Sequence, residues 1–311
     1  MINFLAVCQP AFIVNGILIM VEIHTLACLD YLMWLRTGDE VAKRTGLNQS
    51  TISRNLHKCC EAFFLNVKKI NNEYVITGNT DLINLERNVH QHHRWKSYRP
   101  LRVDAMFWSG RAYFSSPIED YVLGNHDFMH VAQPLAMLRD GVLDALIAPF
   151  PDCPAADDST LASFPLAYFP CYLITVESHP LFSINRELTL EDIAAYPSLA
   201  LPEGAFPVFE DYAKSLGLWN SPSSIYRYDM NKWEGRNEAE LTTSFASIFG
   251  ANLHNSTQKV LPYKLDMECG DYLIVKRDFA NHPLCQNLRQ ILHDRLRPWA
   301  EQYPEIRLCH P

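Results

Sequence analysis

The chain lacks the short motifs that mark many enzyme sites. It has no GxSxG, HExxH, GxGxxG or P-loop pattern, and no cysteine pairs with a base at a recognisable spacing. A CxxC pair is also missing, which argues against a structural zinc site. The nine cysteines (8, 28, 59, 60, 153, 171, 269, 285 and 309) are odd in number and scattered, which favours free thiols in a reducing cytosol over a disulfide framework. The apolar stretch "AFIVNGILIMV" at 11–21 has no basic n-region, is broken by Gln9, Pro10 and Asn15, and is shorter than the roughly 20 residues that cross a bilayer. Met20 is the expected start, with 1–19 an upstream extension, and no membrane partner is expected.

Positive charge is scarce as well: 27 Lys and Arg stand against 35 Asp and Glu, a net charge of -8. The shortage is not uniform. Residues 1–100 hold 11 basic and 8 acidic residues, whereas the remainder holds 16 and 27. A nucleic-acid binder draws affinity from Lys and Arg at phosphates, so only the first hundred residues suit that role. At 311 residues, 48% of them hydrophobic, the chain should be globular with two or three domains.

Leu26, Leu29, Leu32, Met33 and Leu35 give residues 24–36 one apolar helical stripe. Thr37-Gly-Asp-Glu40 has capping-box form and starts a second, short helix near Gly38. Gly46 in "TGLN" can take the positive φ of a tight turn, and Asn48 is a good N-cap for a third helix over about 49–63. That helix has an apolar back at Ile52, Leu56 and Cys59 or Cys60. Its other face carries Gln49, Ser50, Thr51, Ser53, Arg54 and Lys58, groups that can reach base edges and phosphates. "NVKKINNEYVITGN" reads as a β-hairpin turned at Asn71-Asn72 with Lys68 and Lys69 at its base, a wing suited to backbone phosphate. An ordinary helical hairpin with solvated faces would share much of this pattern.

This order of helix, "GDEVAKRTGLNQSTISRNL", wing and "VITGNTDLI" resembles the winged helix-turn-helix of LysR-type transcriptional regulators. The resemblance implies a DNA-binding head over 20–79, with Gln49, Ser50, Thr51, Ser53 and Arg54 matching the family's base- and backbone-contacting stretch; Thr37, Asn48, Lys58, Lys68 and Lys69 complete the set expected at double-stranded DNA. Ser50 stands where the family often has Pro, and the wing lacks the usual Arg-Thr-Gly segment. Residues 80–100 then match the family's linker helix, which pairs two subunits, with Leu82, Leu85, Val89 and His93 on one stripe. His90 and His93 share a face, but no Cys or carboxylate stands at matching spacing, so the helix is expected to be solvated and metal-free.

From residue 101 strand and helix patterns alternate. "LRVDAMF" alternates as a strand, and "PLAMLRDGVLDALIAPF" reads as helix, Gly141 stop and buried strand. Thr189 caps "TLEDIAAY", Gly217 ends "VFEDYAKSLGL", and "DYLIVKRDF" is a strand before a last amphipathic helix. This predicts an α/β body with mainly parallel sheets over 101–311. "LRDGVLDALIAPF" and "ESHPLFSINRELTLEDIAAYPSLALPEG" resemble the effector-binding domain of the same family, a two-lobed fold like that of periplasmic solute-binding proteins.

A cleft between such lobes suits a small organic effector, with a carboxylate as one candidate. The first strand ends at "FWSGR", placing Trp108, Ser109 and Arg111 at its mouth, and the resemblance brings Pro149, Phe150 and the turn Pro202, Glu203, Gly204 and Phe206 opposite. The expected protein is a cytoplasmic regulator without cofactor or metal, a homodimer or homotetramer, with RNA polymerase a further candidate partner. A cytosolic enzyme or small-molecule binder of the solute-binding fold is the alternative, although it leaves the first hundred residues unexplained.

Overall fold

The computed structural model describes residues 13–14, 17–18, 21–97, 100–222, 227–229, 241–253 and 258–311. Most of the expected extension, and Met20, lie outside them. Within it, β1 (Ile13–Val14) and β2 (Ile17–Leu18) pair antiparallel. The chain divides into two compact units, residues 1–96 with 140–142 and residues 97–139 with 143–311.

In the first unit α1 (Ile23–Leu35) ends where Arg36 turns left-handed at φ 67. Thr37 caps α2 (Gly38–Thr45), its hydroxyl accepting from the Glu40 amide at 3.2 Å. The reciprocal half of the expected capping box is absent, because Glu40 turns to Lys43 and Arg44 at 2.6 and 2.5 Å. Two cations one helical turn away attract that carboxylate more than one amide does. Gly46 closes the turn at φ 70, and Asn48 caps α3 (Gln49–Ala62) by accepting from Thr51 N at 2.9 Å. Leu26, Leu29, Cys59, Phe63, Leu65 and Ile83 form one core cluster, and Cys28, Leu32, Val41 and Ile52 another. Each aliphatic chain removed from water contributes about 1.5–3 kcal/mol.

The hairpin β3 (Asn66–Ile70) and β4 (Glu73–Thr77) turns at Asn71 and Asn72, φ 51 and 67. Two positive φ angles match a tight turn to the strand twist, and Asn tolerates them. Lys68 and Lys69 stand opposite Val75 and Tyr74, toward the tip of the hairpin, not at its base as expected. The segment expected to be a linker is α4 (Asp81–Lys96), fastened to α1 by a buried Arg87–Asp30 pair at 2.8 Å. Leu82, Leu85 and Val89 are 43, 66 and 57% exposed. His90 is buried beside Glu86 at 3.1 Å, which corrects the expectation of a wholly solvated histidine face.

In the second unit β5 (Leu101–Ala105) pairs parallel with β6 (Tyr121–Leu123) and β7 (Ala145–Phe150). The other ladders of that sheet are antiparallel, which overturns the expected mainly parallel body. β8 (Leu161–Val176) and β13 (Glu268–Lys276) form its centre, with β11 (Ser244–Ser247), β12 (Gln258–Val260) and β14 (Arg307–Leu308) on β8. The separate pair β9 (Leu199–Ala200) and β10 (Ser221–Pro222) is parallel. β5 does not alternate either. All five residues are buried, and Asp104 is tolerated there because it accepts from the Ala105 and His126 amides at 2.8 and 3.1 Å. The helices are α5 (Gly110–Tyr113), α6 (Ala132–Arg139), α7 (Leu190–Ala194), α8 (Pro207–Ser215), α9 (Ile248–Leu253) and α10 (Pro283–Gln302). The sequence stop at Gly217 takes φ 72, the stop at Gly141, in the first unit, takes φ 79, and Thr189 makes a full capping box with Asp192.

β8 changes partner along its length. Residues 161–170 pair with β13, and residues 171–176 with β11 and β12. The first ladder shifts register between Asp271 and Tyr272, opposite Ala167 and Pro165. Pro165 lacks the N–H that a regular ladder requires. A Cβ on Gly270 would lie 2.5 Å from the Ala167 carbonyl oxygen. Gly270→Ala should therefore destabilise this unit by about 2 kcal/mol or more, seen as a lower melting temperature in calorimetry. An unchanged melting temperature would show that the ladder yields freely there.

Candidate functional site

On the first unit the polar face of α3 is open to solvent at Gln49, Ser50, Ser53, Arg54 and Lys58, with Thr51 half-buried. His57 is exposed one turn beyond Ser53 and Arg54, and its helical spacing would have added it to the expected set. These groups hold one another in the unbound chain. Gln49 Nε2 donates to Asp39 Oδ1 at 2.7 Å, Ser50 Oγ to Asn48 Oδ1 at 2.7 Å, and Arg54 Nη2 to Thr51 Oγ1 at 3.2 Å. The face is thus assembled before any ligand arrives, at the cost of exchanging those bonds on binding. Lys68 and Lys69 are exposed on the wing, Lys69 with its ammonium 5.3 Å from the Tyr74 ring centroid. Thr37 is exposed at the start of α2, where its hydroxyl serves as the cap.

On the second unit a cavity of about 110 Å³ opens where β8 passes from β13 to β11. That size suits a benzene-sized group. Of the sequence-expected residues, Trp108, Arg111, Pro149, Phe150 and Phe206 line it. Ser109 is fully buried and does not reach the wall, while Pro202, Glu203 and Gly204 lie outside the lining. The turn they form approaches only through its last residue, Phe206, which leads into α8. Much of the wall comes from residues the pattern did not single out, among them Phe169, Cys171, Phe245, Ser247, Cys269 and Gly270. They stand on antiparallel strands far apart in sequence, so no local spacing signals them.

The wall is chiefly aromatic. Phe107 packs edge-on to Trp108 at 4.9 Å and stacks on Tyr228 at 4.8 Å, Trp108 meets Phe206 at 5.1 Å, and Phe209 meets Phe245 at 4.8 Å. Ring pairs of this kind stiffen a pocket beyond what buried area gives. Arg111 supplies positive charge at the lining. The N-terminus of α8, the position at which an anion would be expected, already has a partner: Asp152 accepts from Val208 N and Phe209 N at 2.8 and 3.1 Å. Burial nevertheless raises the Asp152 pKa above its ordinary value.

Behind Trp108 lies a second carboxyl. Trp108 Nε1 is 3.5 Å from Asp271 Oδ1, and Asp271 is fully buried. Burial pushes its pKa up to about 7, against the hydrogen bond from Trp108.

No protein-family model matches the sequence, and no curated protein does. Solved structures do match. Full-length OxyR from Pseudomonas aeruginosa aligns at TM-score 0.56 and 18% identity over 94% of this chain and 99% of that one. CbnR, a LysR family transcriptional regulator, aligns at TM-score 0.51 and 13% identity over 89% of this chain and 99% of its own. Full-length CbnR in complex with its target DNA aligns at TM-score 0.50 and 15% identity over 88% and 99%. The chain has the fold of these full-length LysR-type proteins over nearly its whole length.

A raised carboxyl pKa favours the folded state only while the group is protonated. Asp271 therefore contributes stability that is full below its ordinary value of 3.8 and is lost as pH rises through about 7. Asp271→Asn should flatten the pH dependence of the melting temperature between about pH 4 and 7 relative to the unaltered chain. Parallel profiles for the two proteins would remove Asp271 as the cause.

Proposed function

We propose that the chain is a one-component, sequence-specific transcriptional regulator of the LysR type, controlled by a small molecule in the cavity of its body. The observation that carries the reading is the solvent-open α3, with its wing, on a chain whose fold matches full-length regulators over nearly its whole length. A structural neighbour with that fold holds its target DNA. Gln49, Ser50, Thr51 and Ser53 read base edges in the major groove; Arg54, Lys58, Lys68 and Lys69 hold phosphates; Asn48 and Thr37 position the helices that carry them. The protein is cytoplasmic and not an enzyme.

The exposed stripe of Leu82, Leu85 and Val89 on α4 supports a homo-oligomer, since three large apolar side chains at helical spacing are costly to leave in water. Two heads then reach successive major grooves. The effector is small, flat and largely apolar, with Arg111 available to a negative group. Control requires that it bind one arrangement of the lobes better than another.

The reading is tested by fluorescence anisotropy on duplex DNA from upstream of the gene and on scrambled duplex, across a salt series. Preferential binding with a steep salt slope is expected. Arg54→Ala should weaken both duplexes and reduce the slope by about 1, whereas Ser50→Ala or Thr51→Ala should alter preference between them. If all three variants bind as before, α3 is not the reading helix. Leu85→Glu should drive the protein to monomers in light scattering, and an intact oligomer would place the interface elsewhere.

A further inference from the structure

The cavity holds one feature that the regulatory reading does not use. In the register of β8 with β13, Pro170 stands opposite Glu268 and Phe169 opposite Cys269, and in the register with β11, Cys171 stands opposite Ser247. Residues two apart on a strand share a face, so Phe169, Cys171, Cys269 and Ser247 all project toward the cavity, and all four line it. Cys171 and Cys269 are diagonal neighbours on adjacent strands, and both are free thiols. A hydrogen bond to Cys269, together with burial, holds the Cys171 thiol well above its ordinary pKa.

Diagonal neighbours of this kind stand roughly 7–8 Å apart, their Cβ atoms somewhat closer, whereas a disulfide brings the Cβ atoms to about 3.8 Å. A direct S–S bond is therefore disfavoured, and a protonated, buried thiol reacts slowly with peroxide. A larger atom bonded to both sulfurs closes the gap. Among the described residues no three His, Cys, Asp or Glu side chains gather as metal ligands, which does not suit zinc with its four ligands. Trivalent arsenic that brings its own carbon substituent needs only two thiols, and sulfur is the soft donor it prefers.

We propose that Cys171 and Cys269 form a dithiol site for a trivalent arsenical bearing a flat apolar group, with that group lying between the aromatic walls. The inference rests on the reading of this cavity as a ligand site, though not on its control of DNA. An aryl arsenous acid exchanges its two As–O bonds for two As–S bonds. The two hydroxyls leave as water with the two thiol protons, and arsenic stays trivalent. The ring brings apolar area matched to the cavity, so the arsenical is held by its substituent as well as by the thiols.

The test is native mass spectrometry of the full chain with phenylarsine oxide. The competing thiols Cys28, Cys59 and Cys60 are removed by substitution with Ser. One adduct per chain is expected, stable to a monothiol and stripped by 1,2-ethanedithiol. Cys269→Ser and Cys269→Ala should each weaken it by roughly a hundredfold, the loss of one arm of a two-point attachment, with the melting temperature as the check on folding. A tight adduct that survives in folded Cys269→Ala, or a Cys171–Cys269 disulfide recovered by digestion after peroxide, would overturn the proposal. DNA anisotropy with phenylarsine oxide separates the two readings. An adduct with unchanged DNA affinity supports the dithiol site and counts against effector control; no adduct, with a DNA response to an arsenic-free aromatic acid, does the reverse.

Discussion

The constraint on which the body depends is the change of partner along β8. The ladder with β13 ends at Pro170, which has no N–H to extend it, and beyond that residue β8 pairs with β11 and β12. Aromatic groups from the segment after β5 (Phe107 and Trp108), from β7 (Phe150) and from the start of α8 (Phe206 and Phe209) close over the side chains at that junction. The cavity is the space left at the junction, and its wall follows from backbone pairing more than from any local sequence. The close approach at Gly270 and the register shift beside it adjust the strand at the same place.

The head solves a different problem. Its helices are short, and their apolar faces are small, so each is fixed at its ends: Thr37 and Asn48 at N-termini, Arg36 and Gly46 in left-handed turns. The buried Arg87–Asp30 pair fixes α4 against α1. A buried ion pair offers little net stability against a hydrophobic alternative, but breaking it by removing one partner is costly. Its value is to hold α4 in one rotational setting, and that setting leaves Leu82, Leu85 and Val89 outward. The polar face of α3 is likewise set by internal bonds, among them Gln49 to Asp39.

Local chemistry made the helix starts, the glycine stops and the Asn-Asn hairpin legible in the sequence, because each is decided by residues within one turn of chain. Asn48, Gly46, Gly141, Thr189 and Gly217 behave as their side chains and φ preferences require. Strand direction was not legible in the same way. β13 reads as an apolar run whichever way it points, and its antiparallel setting between β7 and β8 depends on pairings that span about a hundred residues. The buried Asp104 and Asp271 also defeat a simple alternation, since their partners come from other segments. In the cavity, Trp108 and Arg111 were found because they follow a strand end, whereas Cys171, Phe245 and Cys269 needed the register to bring them together. Pro202, Glu203 and Gly204 illustrate the converse: a turn that is near by topology presents only its last residue.

Asp152 has a further effect on which molecules the cavity can hold. Its carboxylate is tethered beside the first amides of α8, where it acts as an internal competitor at an effective concentration in the millimolar range. An incoming carboxylate aimed at those amides must displace one that has no translational entropy left to lose, whereas an uncharged ring meets no such rival. A free acid is thus turned away from the start of this nine-residue helix, and Arg111 is left as the cationic group of the lining.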